Sequence, residues 1–251
     1  MVKLERENLN QKSKMKRKIL IFSGAGVSKE SGIETFRGSN NSLWNNFKVE
    51  DVATISAWNR NPQPVIDFYN YRRREMGGVI PNAAHEIIAK LESDFDVTIV
   101  TQNVDDLHEK AGSTNVIHLH GELSKLRSEY NSETKKPFDS DLVLGDVCPE
   151  GGQFRPDIVW FGENLDFDKI EKTKEVAKEA DVCIVVGTSM QVSPANTIPW
   201  LTKETCIIYY VDPGDMGFIV PSYRHGFFYH IQKPATEGVK EVADDIRSYL
   251  L

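Results

Sequence analysis

The stretch from residue 18 to residue 38 reads KILIFSGAGVSKESGIETFRG. It begins with KILIFS (18–23), a run of mostly β-branched and aromatic residues that predicts a buried strand. The run leads directly into Gly24, Ala25 and Gly26, where glycine lets backbone amides approach an anion and a following helix offers its positive N-terminal end. A strand, a glycine turn and a helix in this order are typical of the first unit of a doubly wound α/β fold.

Further runs rich in β-branched and aromatic residues recur along the chain between helix-like stretches. Several are apolar nearly throughout, as expected of strands that are covered on both faces of a parallel sheet. We therefore predict an α/β fold with a Rossmann-like, doubly wound parallel sheet and a smaller inserted lobe. These runs are DVTIVT (96–101), VIHLHG (116–121), DVCIVVGT (181–188), TCIIYYVD (205–212) and FFYHI (227–231).

Two segments between or after these runs have helical periodicity. In PNAAHEIIAKLES (81–93) the apolar residues share one face, and Pro81 suits the first turn of a helix. At the end of the chain Val239, Val242 and Ile246 follow the same spacing. Both stripes predict core packing.

Two segments interrupt this alternation of strands and helices. Residues 39–80 are rich in Asn and aromatic residues, and residues 123–156 are rich in charge, Gly and turn formers. We assign both to a small domain, and we expect a ligand cleft between it and the carboxyl ends of the strands. The Rossmann-like domain then comprises residues 18–38, 81–122 and 157–251, after a polar tail at residues 1–17 that we expect to be disordered.

Composition narrows the classes of function. The formal net charge of −7 disfavours broad electrostatic attraction to nucleic acid. No run approaches the roughly 18 apolar residues of a membrane span, and the first residues lack the apolar core of a secretion signal. Cysteine occurs only three times, which gives little support to a disulfide framework. We expect a cytoplasmic monomer without nucleic-acid or membrane partners.

The glycine turn alone does not identify the ligand. Lys29 occupies the position of the third glycine in the G-x-G-x-x-G pattern, and no strand ending in an acidic residue follows about 20 residues later. A hydride-transferring dehydrogenase is therefore disfavoured. On this motif alone, nucleotide binding and a purely structural glycine turn both stay open.

Five motifs in sequence order together resemble the sirtuin family of NAD-dependent protein deacylases. The resemblance implies that NAD is consumed as a co-substrate and that acylated lysine in proteins or peptides is the second substrate. The implied products are free lysine, nicotinamide and 2′-O-acyl-ADP-ribose. The motifs are GAGVSKESGIETFRG (24–38), TQNVDDLHEKAG (101–112), HLHGE (118–122), VWFGE (159–163) and GTSMQVSPA (187–195).

The resemblance also implies a set of NAD-binding residues. They comprise the glycine turn and the residues after it, the Gln-Asn-x-Asp segment, and positions near the adenosine. Asp212 departs from the Asn that sirtuins usually carry, but a carboxylate can also accept from ribose hydroxyls. The implied residues are Gly24, Ala25, Gly26, Ser28, Phe36, Arg37, Gln102, Asn103, Asp105, Gly187, Thr188, Ser189, Asp212 and Ala235.

The resemblance assigns catalysis to His120, with Asn103 and Asp105 beside it. His120 would remove a proton from a ribose hydroxyl, and an imidazole suits this role because its ordinary pKa of about 6.5 lies near neutral pH. His118 and His120 are two apart in a predicted strand, so we expect both side chains on one face. A metal pair is disfavoured because no third ligand lies close in the sequence. For Asp106 and His108 we favour structural roles.

The implied peptide substrate lies as an added strand between two segments, an arrangement in which backbone pairing provides affinity. The contact residues would be Val159, Phe161, Gly162, Glu163 and Val192.

Tyr69 and Arg72 match the Tyr-x-x-Arg pair of the sirtuin branch that removes succinyl, malonyl or glutaryl groups, and Ala53 matches its small pocket residue. Three residues apart on a helix, the phenol and the guanidinium share a face and can hold the carboxylate of such an acyl group. The alternative is that Arg72, Arg73 and Arg74 form a solvated helix face.

Most sirtuins also carry two Cys-x-x-Cys pairs after the HGE motif, which bind a structural zinc. Segment 123–156 contains only Cys148 and no His. Because one thiolate cannot complete a tetrahedral zinc site, we predict that there is no structural zinc.

Two other functions stay open on the sequence. The same pocket could hydrolyse NAD or transfer ADP-ribose to a protein, and the formation of free ADP-ribose without an acylated peptide would identify the hydrolysis. A catalytically inactive NAD sensor is disfavoured because Gln102, Asn103, Asp105 and His120 are all present.

Overall fold

A computed structural model describes residues 16–34 and 47–251. The predictions for Phe36 and Arg37, and those for most of the tail, lie outside the described residues. The strands are β1 Lys18–Ser23, β2 Asp96–Thr101, β3 Val116–His118, β4 Gly121–Ser128, β5 Lys135–Pro137, β6 Phe154–Ile158, β7 Val182–Val186, β8 Ile207–Val211 and β9 Phe228–Ile231. The α-helices are α1 Val49–Val52, α2 Ile55–Arg60, α3 Pro62–Met76, α4 Ala83–Leu91, α5 Leu107–Lys110, α6 Phe167–Glu179 and α7 Ala235–Leu250. Short 3-10 helices span Ala25–Ser31, Ala195–Leu201 and Ser222–Arg224.

The predicted parallel sheet is confirmed. Six strands lie in the order β3-β2-β1-β7-β8-β9, and every pairing between them is parallel. Because β1 pairs with β2 on one side and with β7 on the other, the strand order reverses at β1. The carboxyl ends of these three strands form the edge at which such sheets bind ligands.

Helices cover this sheet on both faces. Helices α4 and α7 pack on one face through Ile88 and Val242, which are fully or almost fully buried. Helix α6 packs on the other face through Ala177. Burial on both sides explains why the central strands are apolar nearly throughout.

Two local predictions were wrong. The strand predicted over 116–121 ends at His118, and Gly121 begins β4 of another sheet with a φ of 83°. Pro81 does not lie in the first turn of α4, because Asn82 is the N-cap and accepts a hydrogen bond from the Ala84 amide. The helix predicted after the glycine turn is present as a 3-10 helix of seven residues, Ala25–Ser31, with Gly32 at its C-cap.

The small lobe combines an antiparallel sheet, ordered β5-β4-β6, with helices α1 to α3. One apolar cluster joins them, in which Trp58 and Phe68 from the helices meet Leu126 and Phe154 from the strands. The boundaries predicted at 122/123 and 156/157 fall inside β4 and β6, and the division into domains stays a prediction.

Hydrogen bonds tie the loop after β4 to the residues before β6. Ser128 Oγ lies 3.1 Å from the sulfur of Cys148, which is buried. Thr134 Oγ1 donates to the Glu150 carboxylate, which also accepts from Asn131 Nδ2 at 3.4 Å. Among residues 16–34 and 47–251, no group of three or more His, Cys, Asp or Glu side chains could hold a metal ion. The apolar cluster and these contacts hold the lobe together without a metal ligand set in the described chain.

The helices of the described chain include none that combines the length and the apolar character needed to span a membrane.

Candidate active site

Two glycine-containing loops meet at the carboxyl ends of β1 and β7. The Gly26 amide donates to Gly187 O at 2.7 Å, and the Gly24 amide donates to Val186 O at 3.0 Å. A Cβ on Gly26 would lie 2.7 Å from Gly187 Cα, and one on Gly187 would lie 2.1 Å from the Val27 nitrogen. Glycine is therefore required for the contact between the loops, a reason that differs from the approach to an anion considered above.

Ser28 lies at the centre of a buried polar cluster below these loops. Its Oγ donates to Asp105 Oδ2 at 3.1 Å and accepts from Asn103 Nδ2 at 3.2 Å. Asn103 Nδ2 also contacts Gly24 O at 3.2 Å. Burial raises the pKa of the Asp105 carboxyl. The structure thus brings Ser28, Asn103 and Asp105 into one hydrogen-bonded cluster, which Asn103 joins to the glycine turn.

Gln102 connects this cluster to the second loop. Its Nε2 donates to Thr188 Oγ1 at 3.1 Å, and the same oxygen accepts from the Met190 amide at 3.2 Å. Ser189, between these two residues, is exposed.

His120 lies in the turn between β3 and β4, beside the same cluster. Its Nδ1 is 2.9 Å from Gln102 O, and because a carbonyl oxygen can only accept, Nδ1 carries the proton. The Nε2 lone pair is then free, and it has no partner within residues 16–34 and 47–251. Burial lowers the pKa of His120, so the ring is neutral near pH 7. A neutral, oriented imidazole of this kind can accept a proton.

His118 differs from His120, and the two do not share the face of one strand because β3 ends at His118. Its Nδ1 contacts Asn103 O at 3.0 Å, and its Nε2 contacts the Glu109 carboxylate at 2.8 Å. Burial alone would lower the pKa of His118, but the hydrogen bond and charge of Glu109 outweigh it and raise the pKa. His118 thus anchors the segment that carries Asn103.

A second pair of buried histidines lies behind the glycine turn. His108 Nε2 is 2.9 Å from Ser23 Oγ, and its ring lies 4.9 Å from that of His85. Burial lowers the pKa of both rings, in His85 to about 4, so both are neutral. These contacts agree with the structural role favoured for His108. Asp106, for which a structural role was also favoured, forms an ion pair with Lys110 at 2.8 Å. His85 was not among the predicted site residues, although it lies on the buried face of α4.

The predicted adenosine residues lie near the 3-10 helix that follows the glycine turn. Asp212 Oδ1 accepts from the Gly214 amide at 2.9 Å, and burial raises the pKa of this carboxyl. Ala235 is the buried first residue of α7. The next residue, Thr236, donates its amide to Glu30 at 3.0 Å, which fixes the start of α7 to the 3-10 helix.

The segment predicted to bind a peptide lies between His120 and Ala53. The Val159 amide donates to His120 O at 2.9 Å, and the Phe161 amide donates to Ala53 O at 3.0 Å. Phe161 is 49% exposed, and Gly162 has a φ of 87°. Val192, on the opposite segment, is half-buried.

Glu163, by contrast, is engaged in the small lobe. Its two carboxylate oxygens each accept from Arg155 at 2.7 Å, and one also accepts from Arg127 at 2.9 Å. Burial alone would raise the pKa of Glu163, but Arg155 outweighs it and lowers the pKa. Arg155 was not among the predicted site residues, and its guanidinium lies 3.5 Å from the centre of the Trp160 ring.

Tyr69 and Arg72 lie on one face of α3, as predicted. The Tyr69 hydroxyl accepts from Trp160 Nε1 at 2.9 Å. Arg72 is half-buried, burial lowers its pKa, and it makes no hydrogen bond or ion pair in the part of the chain that the structure describes.

The two arginines that follow Arg72 are both engaged. Arg73 is buried and donates to Leu123 O at 3.1 Å, while Arg74 pairs with Asp141 at 2.5 Å. The alternative of a common solvated face was therefore wrong for Arg73.

Comparisons with known proteins agree with this arrangement. A family model described as the Sir2 family matches residues 24–194. An NAD-dependent protein deacylase of Helicobacter pylori (strain ATCC 700392 / 26695) is 46% identical over 195 residues, covering 78% of this chain and 84% of that protein. An NAD-dependent protein deacylase of Aquifex aeolicus (strain VF5) is 39% identical over 248 residues, covering 96% of this chain and 97% of that protein. The crystal structure of a Sir2 homolog–NAD complex superposes with a TM-score of 0.80 at 35% sequence identity. The superposition covers 94% of this chain and 91% of that one.

Proposed function

The chain belongs to the Sir2 family and is an NAD-dependent protein deacylase, and we propose that it removes succinyl and malonyl groups from lysine in preference to acetyl groups. The observation that carries the acyl preference is Arg72, a half-buried cation without a partner in the described chain.

In the proposed reaction NAD supplies an electrophilic ribose carbon, which the acyl oxygen of the substrate attacks as nicotinamide leaves. His120 accepts a ribose hydroxyl proton at Nε2, because its Nδ1 is held by Gln102 O. Asn103 and Asp105 present amide and carboxylate groups to the nicotinamide ribose, held in place by Ser28. The peptide would lie against the exposed Phe161 side chain, because the amides of Val159 and Phe161 already donate to His120 O and Ala53 O.

The acyl group enters between this segment and α3. Arg72 and the Tyr69 hydroxyl would bind a carboxylate at its end, an interaction that an acetyl group cannot make. Nearby carboxylates, among them Asp105 and Glu75, act on the pKa of Arg72 in the direction that favours its charged form. Burial lowers the pKa of Arg72, but a guanidinium ordinarily titrates far above neutral pH, so Arg72 carries the charge that recognition of a carboxylate requires.

Replacing Arg72 tests this preference. In Arg72→Met the ratio of kcat/KM for a succinyl-lysine peptide to that for the acetyl-lysine peptide should fall by roughly ten- to a hundredfold, because a charged hydrogen bond is lost. Arg74→Met is the matched control, since Arg74 pairs with Asp141 on the surface, and it should leave the ratio unchanged. An Arg72→Met enzyme with the ratio of the parent would reject the proposal.

The monomeric state and the cytoplasmic location stay predictions.

A further inference from the structure

The oxygen of the Tyr69 hydroxyl already accepts a hydrogen bond from Trp160. Trp160 Nε1 lies 2.9 Å from the phenol oxygen, and because an indole N–H can only donate, this oxygen is the acceptor. Burial raises the pKa of Tyr69, although Trp160, Arg155 and Arg72 act in the opposite direction. The phenol therefore keeps its proton and remains a donor.

That proton needs an acceptor, and residues 16–34 and 47–251 provide none. Arg72, on the same face of α3, also lacks a hydrogen-bond partner in this part of the chain. The positive charge of Arg72 also acts on the pKa of Tyr69, in the direction that lowers it. A neutral donor and a cationic donor on one helix face, both without acceptors in this part of the chain, match the two oxygens of a carboxylate.

The Trp160 side chain, which donates to the Tyr69 oxygen, is fixed by contacts to both its ring and its backbone. The Arg155 guanidinium lies 3.5 Å from the centre of the Trp160 ring, and the Trp160 amide donates to Glu163 at 2.9 Å. Arg155 is fixed by two hydrogen bonds of 2.7 Å to the same Glu163. Only 2% of Trp160 is exposed. The direction of its N–H is thus set by the small lobe.

We propose that Trp160 is a positioning residue for acyl specificity. Its N–H occupies the acceptor side of the Tyr69 hydroxyl and thereby directs the phenolic hydrogen, beside Arg72, toward the terminal carboxylate of a dicarboxylic acyl group. The inference rests on the proposed function, since it concerns the same pocket. Nothing in the sequence motif VWFGE distinguishes this tryptophan from an ordinary core residue.

Trp160→Phe removes the N–H but keeps an aromatic ring under Arg155. The KM for a succinyl-lysine peptide should rise about fivefold with little change in kcat, and the ratio of kcat/KM for succinyl to acetyl peptides should fall accordingly. Trp58→Phe is the matched control. Its ring lies 5.3 Å from that of Trp160, and no hydrogen bond joins it to Tyr69 among the described residues, so the ratio should not change.

A double-mutant cycle with Tyr69→Phe separates positioning from loss of packing. Because the indole acts through the phenol oxygen, Trp160→Phe should have no further effect on the ratio in the Tyr69→Phe background. Additive effects, or an equal loss for both substrates in Trp160→Phe, would overturn the inference. If Arg72→Met keeps the succinyl-to-acetyl ratio of kcat/KM that the parent has, the proposed function itself is refuted. If Arg72→Met lowers this ratio and Trp160→Phe leaves it unchanged, only the role of Trp160 is refuted.

Discussion

At the scale of single residues, the site depends on which nitrogen of each imidazole carries a proton. His118 and His120 both contact backbone carbonyls, of Asn103 and Gln102 respectively, through Nδ1. Glu109 favours the charged form of His118, whereas His120 has no such partner in the described chain and burial favours its neutral form. Two histidines of one motif are therefore adapted to different tasks.

The pH dependence of kcat/KM should reflect this difference. His120 must be neutral to accept a proton, and burial lowers its pKa, so activity should fall only as the pH drops well below 6.5. The measurement is kcat/KM for an acylated peptide across the pH range, with circular dichroism at each pH to verify folding. A fall in kcat/KM that already begins above pH 6.5 would contradict the assignment, because it would match the raised pKa of His118.

At the scale of secondary-structure elements, the sequence predicted strands better than it predicted their ends. Strands β1 and β2 have the predicted bounds, because their apolar runs are flanked by clear polar or glycine residues. The motif VIHLHG was divided between two sheets, since the turn at Leu119 and His120 leaves no break in its pattern of apolar residues. The start of α4 was misplaced for a similar reason, because both Pro81 and Asn82 are acceptable residues near a helix start.

Asn82 provides a test at this scale. Its Oδ1 accepts from the Ala84 amide at 2.9 Å, and its Nδ2 donates to Val27 O at 2.8 Å and to Ser31 Oγ at 3.0 Å. Asn82→Ala should lower the free energy of unfolding by roughly 1–2 kcal/mol in urea denaturation, since the cap and a link to the glycine turn are both lost. Asn82→Asp keeps the acceptor and should lose less. Equal stability of Asn82→Ala and the parent would contradict the assigned cap.

At the scale of the whole molecule, the parallel sheet and its ligand-binding edge were predictable, while the interior of the small lobe was not. Apolar periodicity identifies strands and helices that are continuous in the sequence. The core of the small lobe joins Trp58, Cys148 and Trp160, which are distant in the sequence and follow no shared period. The ion pair of buried Arg155 and half-buried Glu163 gave no local signal either, because these two residues meet only in the folded lobe.

We propose that His120 acts as the base of this NAD-dependent deacylase. In the most direct test, the parent enzyme and the His120→Ala variant are each incubated with NAD and a succinyl-lysine peptide. The acyl-ADP-ribose that each forms is then quantified by mass spectrometry. The parent should form acyl-ADP-ribose only when the acylated peptide is present, and the variant should form it at least about a hundredfold more slowly. Free ADP-ribose without peptide from the parent, or turnover by the variant at the rate of the parent, would contradict the claim.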